Sequence, residues 1–154
     1  MFDTCVLGVD PGVARMGLAV VARRGSRIEL IWADAVRTPS ATDQSIRLLA
    51  LVEAMREAIR VHQPTAVALE RVAFSRNVVS ALTVARVTGA IMVAAAEAGL
   101  PIQEYAPTEV KSAVTGMGNA DKEQIRTALV RVHGLIDVPA QPDAADAVAV
   151  AITH

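Results

Sequence analysis

The sequence predicts an α/β fold: a five-stranded mixed sheet, three antiparallel strands followed by two parallel ones, with helices on both faces. Three observations predict it. The first three apolar runs are joined by connections too short for a crossover helix, which makes them an antiparallel meander. The later strand-length runs alternate with helix-length segments. Finally, the 154 residues are 53% hydrophobic but only 3% aromatic, with a mean hydropathy of +0.39. That composition describes one domain, residues 1–154, with a core of Val, Ala, Leu and Ile, and argues against disorder.

The elements follow in order. Cys5–Asp10, Met16–Arg23 and Ile28–Val36 read as strands, joined across Pro11–Arg15 and across a turn at Gly25-Ser26. A helix is expected from Gln44 to His62, because Leu48, Leu51, Val52, Met55 and Ile59 fall on one face and Pro64 stops it. "TAVALE" is apolar until Glu70, the pattern of a central strand covered on both faces. A polar loop leads to a second helix, Val78–Ala98, ended by Gly99. A short strand over Pro101–Tyr105 and a short helix over "PTEVKSAV" come next. The glycine loop "TGMGNADKEQ" then feeds a helix reaching Gly134, with Asn119 as its expected cap and Asp121 near its positive end. The last helix begins near Pro142.

Some functions are disfavoured at once. No uninterrupted apolar stretch approaches the ~18 residues of a membrane span; the richest, Val78–Ala98, is broken by Arg86 and Glu97. "MFDT" lacks the basic n-region of a signal peptide, and the single cysteine, Cys5, cannot form an internal disulfide. Both features predict a cytoplasmic protein. The formal net charge of −1 decides nothing about partners until its distribution is considered.

The acids are distributed unevenly. Asp10 closes the first strand, Glu70 closes the fourth, and "PDAADA" places Asp143 and Asp146 in the first turn of the last helix. Three helical residues span ~300° of rotation and ~4.5 Å of rise, so those two share a face. Taken singly, Asp10 serves as a turn former, and Asp143 and Asp146 as acids that offset a helix dipole. Glu70 resists that treatment, because a charge following "TAVAL" is poorly placed to reach water, and burying it unpaired is costly. Four acids at element ends, without clustered His or Cys, suit a hard cation such as Mg²⁺.

"GVDPG", "ALERV", "VKSAVTGMGNADKEQ" and "DAADAVAVAITH", in this order from about Leu7 to His154, resemble the RuvC family of bacterial Holliday-junction resolvases. The resemblance implies a single RNase H-like nuclease domain in which strands one and four are neighbours. It implies a catalytic tetrad of Asp10, Glu70, Asp143 and Asp146 holding two Mg²⁺ ions, or Mn²⁺ in their place. The reaction it implies is paired symmetric nicking of four-way DNA junctions, leaving 5′-phosphate and 3′-hydroxyl ends. The implied partners are a second copy of the chain and the RuvA–RuvB branch-migration complex, with no membrane. Two alternatives compete, a YqgF-like nuclease acting on RNA and a non-catalytic junction-binding protein. The lysine loop and the terminal acid pair disfavour the first, and the intact tetrad disfavours the second.

The cations complete the expectation. Of 15 basic residues only two are lysines, Lys111 and Lys122, and they bracket the glycine loop. Ordinary surface placement would explain them, but in the resembling family matching lysines contact DNA phosphate or support the transition state. Both lysines are accordingly expected to bind DNA, and Lys122 to act in catalysis as well. Arg126, one turn later, extends the same face, and Arg71 and Arg76 make the loop after Glu70 a DNA-facing one. Related resolvases often carry Phe three residues after the catalytic Glu; here that position is Ala73 and the aromatic is Phe74. Phe74 is either a shifted base-stacking residue or a core anchor for the next helix. His62 and His133 read as helix-surface residues. Ala81, Ala85 and Gly89 recur every fourth residue along Val78–Ala98 and are expected to form a dimer ridge, unless they pack on the protein's own sheet.

Overall fold

The computed structural model describes residues 1–71 and 77–154. Its elements run β1 (Thr4–Asp10), β2 (Arg15–Arg24), β3 (Arg27–Arg37), α1 (Gln44–His62), β4 (Ala66–Glu70), α2 (Val78–Glu97), β5 (Ile102–Tyr105), α3 (Pro107–Thr115), α4 (Lys122–Arg131) and α5 (Pro142–Thr153). The strands lie in the order β3-β2-β1-β4-β5. β2 pairs antiparallel with β1 and β3, and β4 pairs parallel with β1 and β5. The expected mixed sheet is therefore present, and β1 and β4 are neighbours.

Side chains alternate between sheet faces, and the two faces are built differently. Leu7, Val9, Leu18, Val20, Val67 and Leu69 pack against α1 and α2, where Leu51, Met55, Val87 and Ile91 meet them. The opposite face carries Val6, Ala19, Val21 and Ala68 against α3, α4 and α5. By alternation Gly8 and Gly17 belong to this second, smaller set. A Cβ at Gly8 would lie 2.2 Å from the carbonyl oxygen of Ala147, and one at Gly17 would lie 1.8 Å from that of Asp143. The backbone of α5 thus rests directly on β1 and β2. This contact brings the start of α5 down onto the strand ends.

Three expectations need correction. Asp121, not Asn119, caps α4: its carboxylate accepts from the Gln124 amide at 2.8 Å, and the Gln124 side chain accepts from the Asp121 amide at 2.8 Å. This reciprocal box needs Gln or Glu three residues after the cap, and Asn119 is followed at that distance by Lys122. α4 also ends at Arg131 rather than Gly134, because the chain turns through left-handed conformations at Gly134 and Asp137. Neither histidine is a free surface residue. The His133 ring meets the Val114 carbonyl oxygen at 2.9 Å, and His62 stacks on Trp32 with ring centroids 5.0 Å apart.

α2 is long and apolar enough by length and composition to cross a bilayer, which amends the expectation that no stretch reaches that length. Here it is a packed helix of the fold. Val87, Ile91, Ala94 and Ala95 are buried in the core, and Glu97 accepts from Arg56 of α1 at 2.8 Å.

Candidate active site

The parallel register matches Val9 with Leu69, which sets Asp10 and Glu70 side by side at the ends of β1 and β4. Alternation turns both toward α5, as it does Gly8 and Ala68. Asp143 lies in the first turn of α5. Asp146 begins the next turn, one step further along than the sequence suggested, because the helix starts at Pro142 and spends its first four residues before reaching it.

The four acids are neutralised in two ways. The Asp10 and Glu70 carboxyl groups are hydrogen-bonded to one another and share a proton. Burial, then the adjacent charge of Glu70, pushes the Asp10 carboxyl up to about 9. Burial also raises Glu70, against the opposing pulls of the Asp10 hydrogen bond and of Lys122 and Lys111. Asp146, by contrast, is met by a cation, with Lys122 Nζ 3.1 Å from its Oδ2. Burial nevertheless raises Asp146, outweighing that hydrogen bond, while the bond raises the Lys122 ammonium. Asp143 has a looser partner, the Arg15 guanidinium, whose Nε stands 4.0 Å from Oδ2.

Beside the acids opens a cleft of about 330 Å³, lined by Glu70, Asp146, Lys111, Lys122 and apolar residues of α3, α4 and α5. Both lysines of the sequence therefore face the acids. Arg71 is exposed directly after Glu70, at the mouth of the site, and its amide donates to the Tyr105 carbonyl at 2.7 Å. Arg126 is occupied elsewhere: its guanidinium donates to the carbonyls of Pro139 at 2.6 Å and Val138 at 2.9 Å, tying α4 to the segment before α5. Ala73, Phe74 and Arg76 lie outside the described residues. Ala85 and Gly89 are exposed and Ala81 half-buried, so the small-residue ridge of α2 does not pack on its own sheet. Arg15 was missed by sequence reasoning. The available signal was its place at the end of the tight turn that begins at Asp10.

The donor set is all oxygen, which suits Mg²⁺ or Mn²⁺. Among the described residues no three acidic, His or Cys side chains already stand as a group that could hold a metal ion. Asp143 and Asp146 face Arg15 and Lys122 instead, and Asp10 faces a shared proton.

The strand order, the paired strand ends and the helix seated on them define a nuclease of the RNase H-like class. The family model described as "Crossover junction endodeoxyribonuclease RuvC" matches residues 6–154. The chain belongs to the RuvC family, whose members are metal-dependent nucleases. It is 45% identical over 148 residues to the crossover junction endodeoxyribonuclease RuvC of Chloroflexus aggregans, covering 96% of this chain and 90% of that one. With the RuvC of Saccharopolyspora erythraea it shares 43% identity over 150 residues, covering 97% of this chain and 75% of the relative. Among solved structures, "T. thermophilus RuvC in complex with Holliday junction substrate" matches with a TM-score of 0.91 and 36% identity, covering 98% of this chain and 92% of that one.

Proposed function

We propose that this chain is a crossover junction endodeoxyribonuclease that resolves four-way DNA junctions by paired symmetric nicks. One observation carries the reading: two desolvated acids, Asp10 and Glu70, retain a proton between them at the ends of adjacent strands, with Asp146 near enough to add to the repulsion. So much negative potential in a small volume is a site for cations. Asp10, Glu70, Asp143 and Asp146 would hold two Mg²⁺ ions, with Mn²⁺ as a substitute. Bound there, the ions supply an activated water and take up charge on the leaving oxygen.

The remaining work belongs to the chain. To hold a cation Asp10 would have to give up the proton it shares with Glu70, and Lys122, no longer needed by Asp146, would be free to turn toward the phosphate. Lys111, across the cleft, holds the same phosphate from the other side, and Arg71 extends the contact at the mouth. Arg126 is left out of this rim, because its guanidinium is committed to two backbone carbonyls.

Two symmetric nicks require two sites related by a two-fold axis, so the working form is a homodimer. The exposed ridge of Ala81, Ala85 and Gly89 is the interface, flanked by Val78 at 67% exposure, Leu82 at 54% and Val93 at 58%. A Cβ at Gly89 would meet nothing within 4 Å, which leaves room for a partner helix. The resemblance adds RuvA–RuvB as the partner complex and the cytoplasm as the setting.

Incubation with labelled four-way junction, linear duplex and RNA–DNA hybrid, in Mg²⁺ or Mn²⁺, tests the reading. Paired nicks confined to the junction are expected. Cleavage of the RNA-containing hybrid in preference would favour an RNA nuclease, and binding without cleavage a non-catalytic junction protein. Ala85→Arg should give a soluble monomer that no longer makes paired nicks; wild-type protein sedimenting as a monomer when saturated with junction would rule out the dimer.

A further inference from the structure

The lysines stand on the α3–α4 side of the acids. On the β2–β3 side stands a second pair of cations, Arg15 and Arg37, the first residue of β2 and the last of β3. The two are directly opposite in the antiparallel register. Opposed residues project from the same sheet face, and like charges so placed repel.

The other end of the same hairpin makes a control. There Arg24 is opposite Arg27, but each has its own compensation: Arg27 Nε is 3.3 Å from Glu29 Oε1, and the Arg24 guanidinium lies 5.0 Å from the centre of the Phe2 ring. At the site end, among the described residues, compensation is nearly absent. The Arg15 side chain is 58% exposed and among the described residues reaches only Asp143, at 4.0 Å. Arg37 is exposed and its side chain makes no hydrogen bond or ion pair among the described residues.

The pair is also held firmly relative to Asp10. Thr38, buried just after β3, donates through its hydroxyl to the Val13 carbonyl and through its amide to the Ala14 carbonyl at 3.0 Å. Arg47 of α1 donates to the Thr38 hydroxyl at 2.8 Å. These bonds rivet the Asp10–Arg15 turn to the end of β3. Arg47 is used up in the rivet, whereas among the described residues Arg15 keeps only its long contact to Asp143 and Arg37 has no side-chain partner.

Resting on the junction-nuclease reading, we infer that Arg15 and Arg37 form a phosphate fork that grips the DNA backbone on the β2–β3 side of the acids, at phosphates neighbouring the one that is cut. The ligand class is the nucleic-acid phosphodiester backbone, held without reading bases. A polyanion there relieves the cross-strand repulsion, and the contact to Asp143, at 4.0 Å, is loose enough to leave Arg15 able to turn to a phosphate.

Four-way junction binding, measured by fluorescence anisotropy in Ca²⁺ across a salt series, tests the fork in the full chain. Arg15→Gln and Arg37→Gln should each weaken binding several-fold and flatten the salt dependence by about 0.9 in log–log slope, the value of one lost phosphate contact. The double variant should lose about twice that slope. Arg37→Lys should restore most of it, and Arg24→Gln, the same charge change at the far end of the hairpin, should leave it unchanged. The melting temperature of Arg37→Gln should hold or rise, since a repulsion is removed; this separates a lost contact from a damaged fold. Single and double variants with the wild-type slope, alongside a wild type that binds junctions, would overturn the fork alone. A wild type that binds no DNA would overturn the fork and the junction-nuclease reading together.

Discussion

Asp10 and Glu70 end neighbouring strands, and among the described residues neither is in an ion pair; they share a proton, with Asp10 pushed up to about 9. Asp143 and Asp146 come from one helix three residues apart, and each has a cation, Arg15 or Lys122. The strand pair is largely buried, and the nearby lysines do not offset that burial, so it resolves its repulsion by holding hydrogen. The helix pair stands at a rim within reach of long flexible side chains, so it resolves the same problem by borrowing charge. The difference separates two jobs. Loading the strand pair with a cation costs a proton, whereas loading the helix pair releases side chains that can then turn to the substrate.

The largest expected effect breaks the strand pair. Asp10→Asn keeps the shape and removes the repulsion, so the metal-free protein should melt several degrees higher, since ~1 kcal/mol moves a domain of this size by ~2–4 °C. Its junction cleavage should fall by more than the ~10²–10³ that one preorganised donor contributes. Asp146→Asn should lose cleavage comparably with little gain in melting temperature, because it strands an exposed lysine. Equal thermal gains from both substitutions would erase the distinction between the pairs.

An intermediate effect isolates the borrowed charge. Lys122→Gln should lower cleavage by ~10–100-fold, the range found when a supporting partner of a metal ligand is lost. Calorimetric titration with Mg²⁺ should meanwhile find affinity undiminished, because a competitor for Asp146 has been removed. Weaker Mg²⁺ binding would make Lys122 a support for the metal site instead of a group lent to the substrate.

The smallest effect is in pH. Between the ordinary carboxylate range and about 9, the folded chain keeps a proton on Asp10 that the unfolded chain has released. Stability of the metal-free protein should therefore fall as pH rises through that window. Cations bind the deprotonated pair, so the stabilisation by Mg²⁺ should grow over the same window. Thermal melts in chelator and in Mg²⁺ would display both slopes, and Asp10→Asn should flatten them. A wild type whose melting temperature in chelator climbs with pH would contradict the shared proton.

Most of this arrangement was legible in the residues. Strand ends were marked by charge after apolar runs, at Asp10 and Glu70, and the final acid pair by its spacing. What escaped did so for identifiable reasons. Arg15 pairs with Asp143 across 128 positions of chain, and no local pattern announces a contact made through a helix docked on a strand. Arg126 sits on the same helix as Lys122 and reads as one more cation for DNA, yet carbonyls before α5 claim it. The cap of α4 was readable after all, since Gln124 three residues after Asp121 is the signature that Asn119 lacks. The small-residue ridge of α2 could have faced inward or outward by sequence alone, because alanine and glycine suit both.

The seating of α5 on Gly8 and Gly17 has a mechanical consequence. At those points the strands meet the helix backbone and the β-carbons of Ala147 and Ala151, which have no rotamers to change, so the gap is a hard stop set by atomic radii. Side chains in an ordinary core can change rotamer and let a helix drift by fractions of an ångström; bare backbone offers no such give. The seat therefore works as a gauge block, fixing how far the acids of α5 stand from those of the strands whatever happens in the outer layers of the core. Surface substitution or repacking beneath α1 and α2 cannot retune that distance. Only the length of the acidic side chains, Asp against Glu, remains as an adjustment, and the chain places its single longer acid at the end of β4.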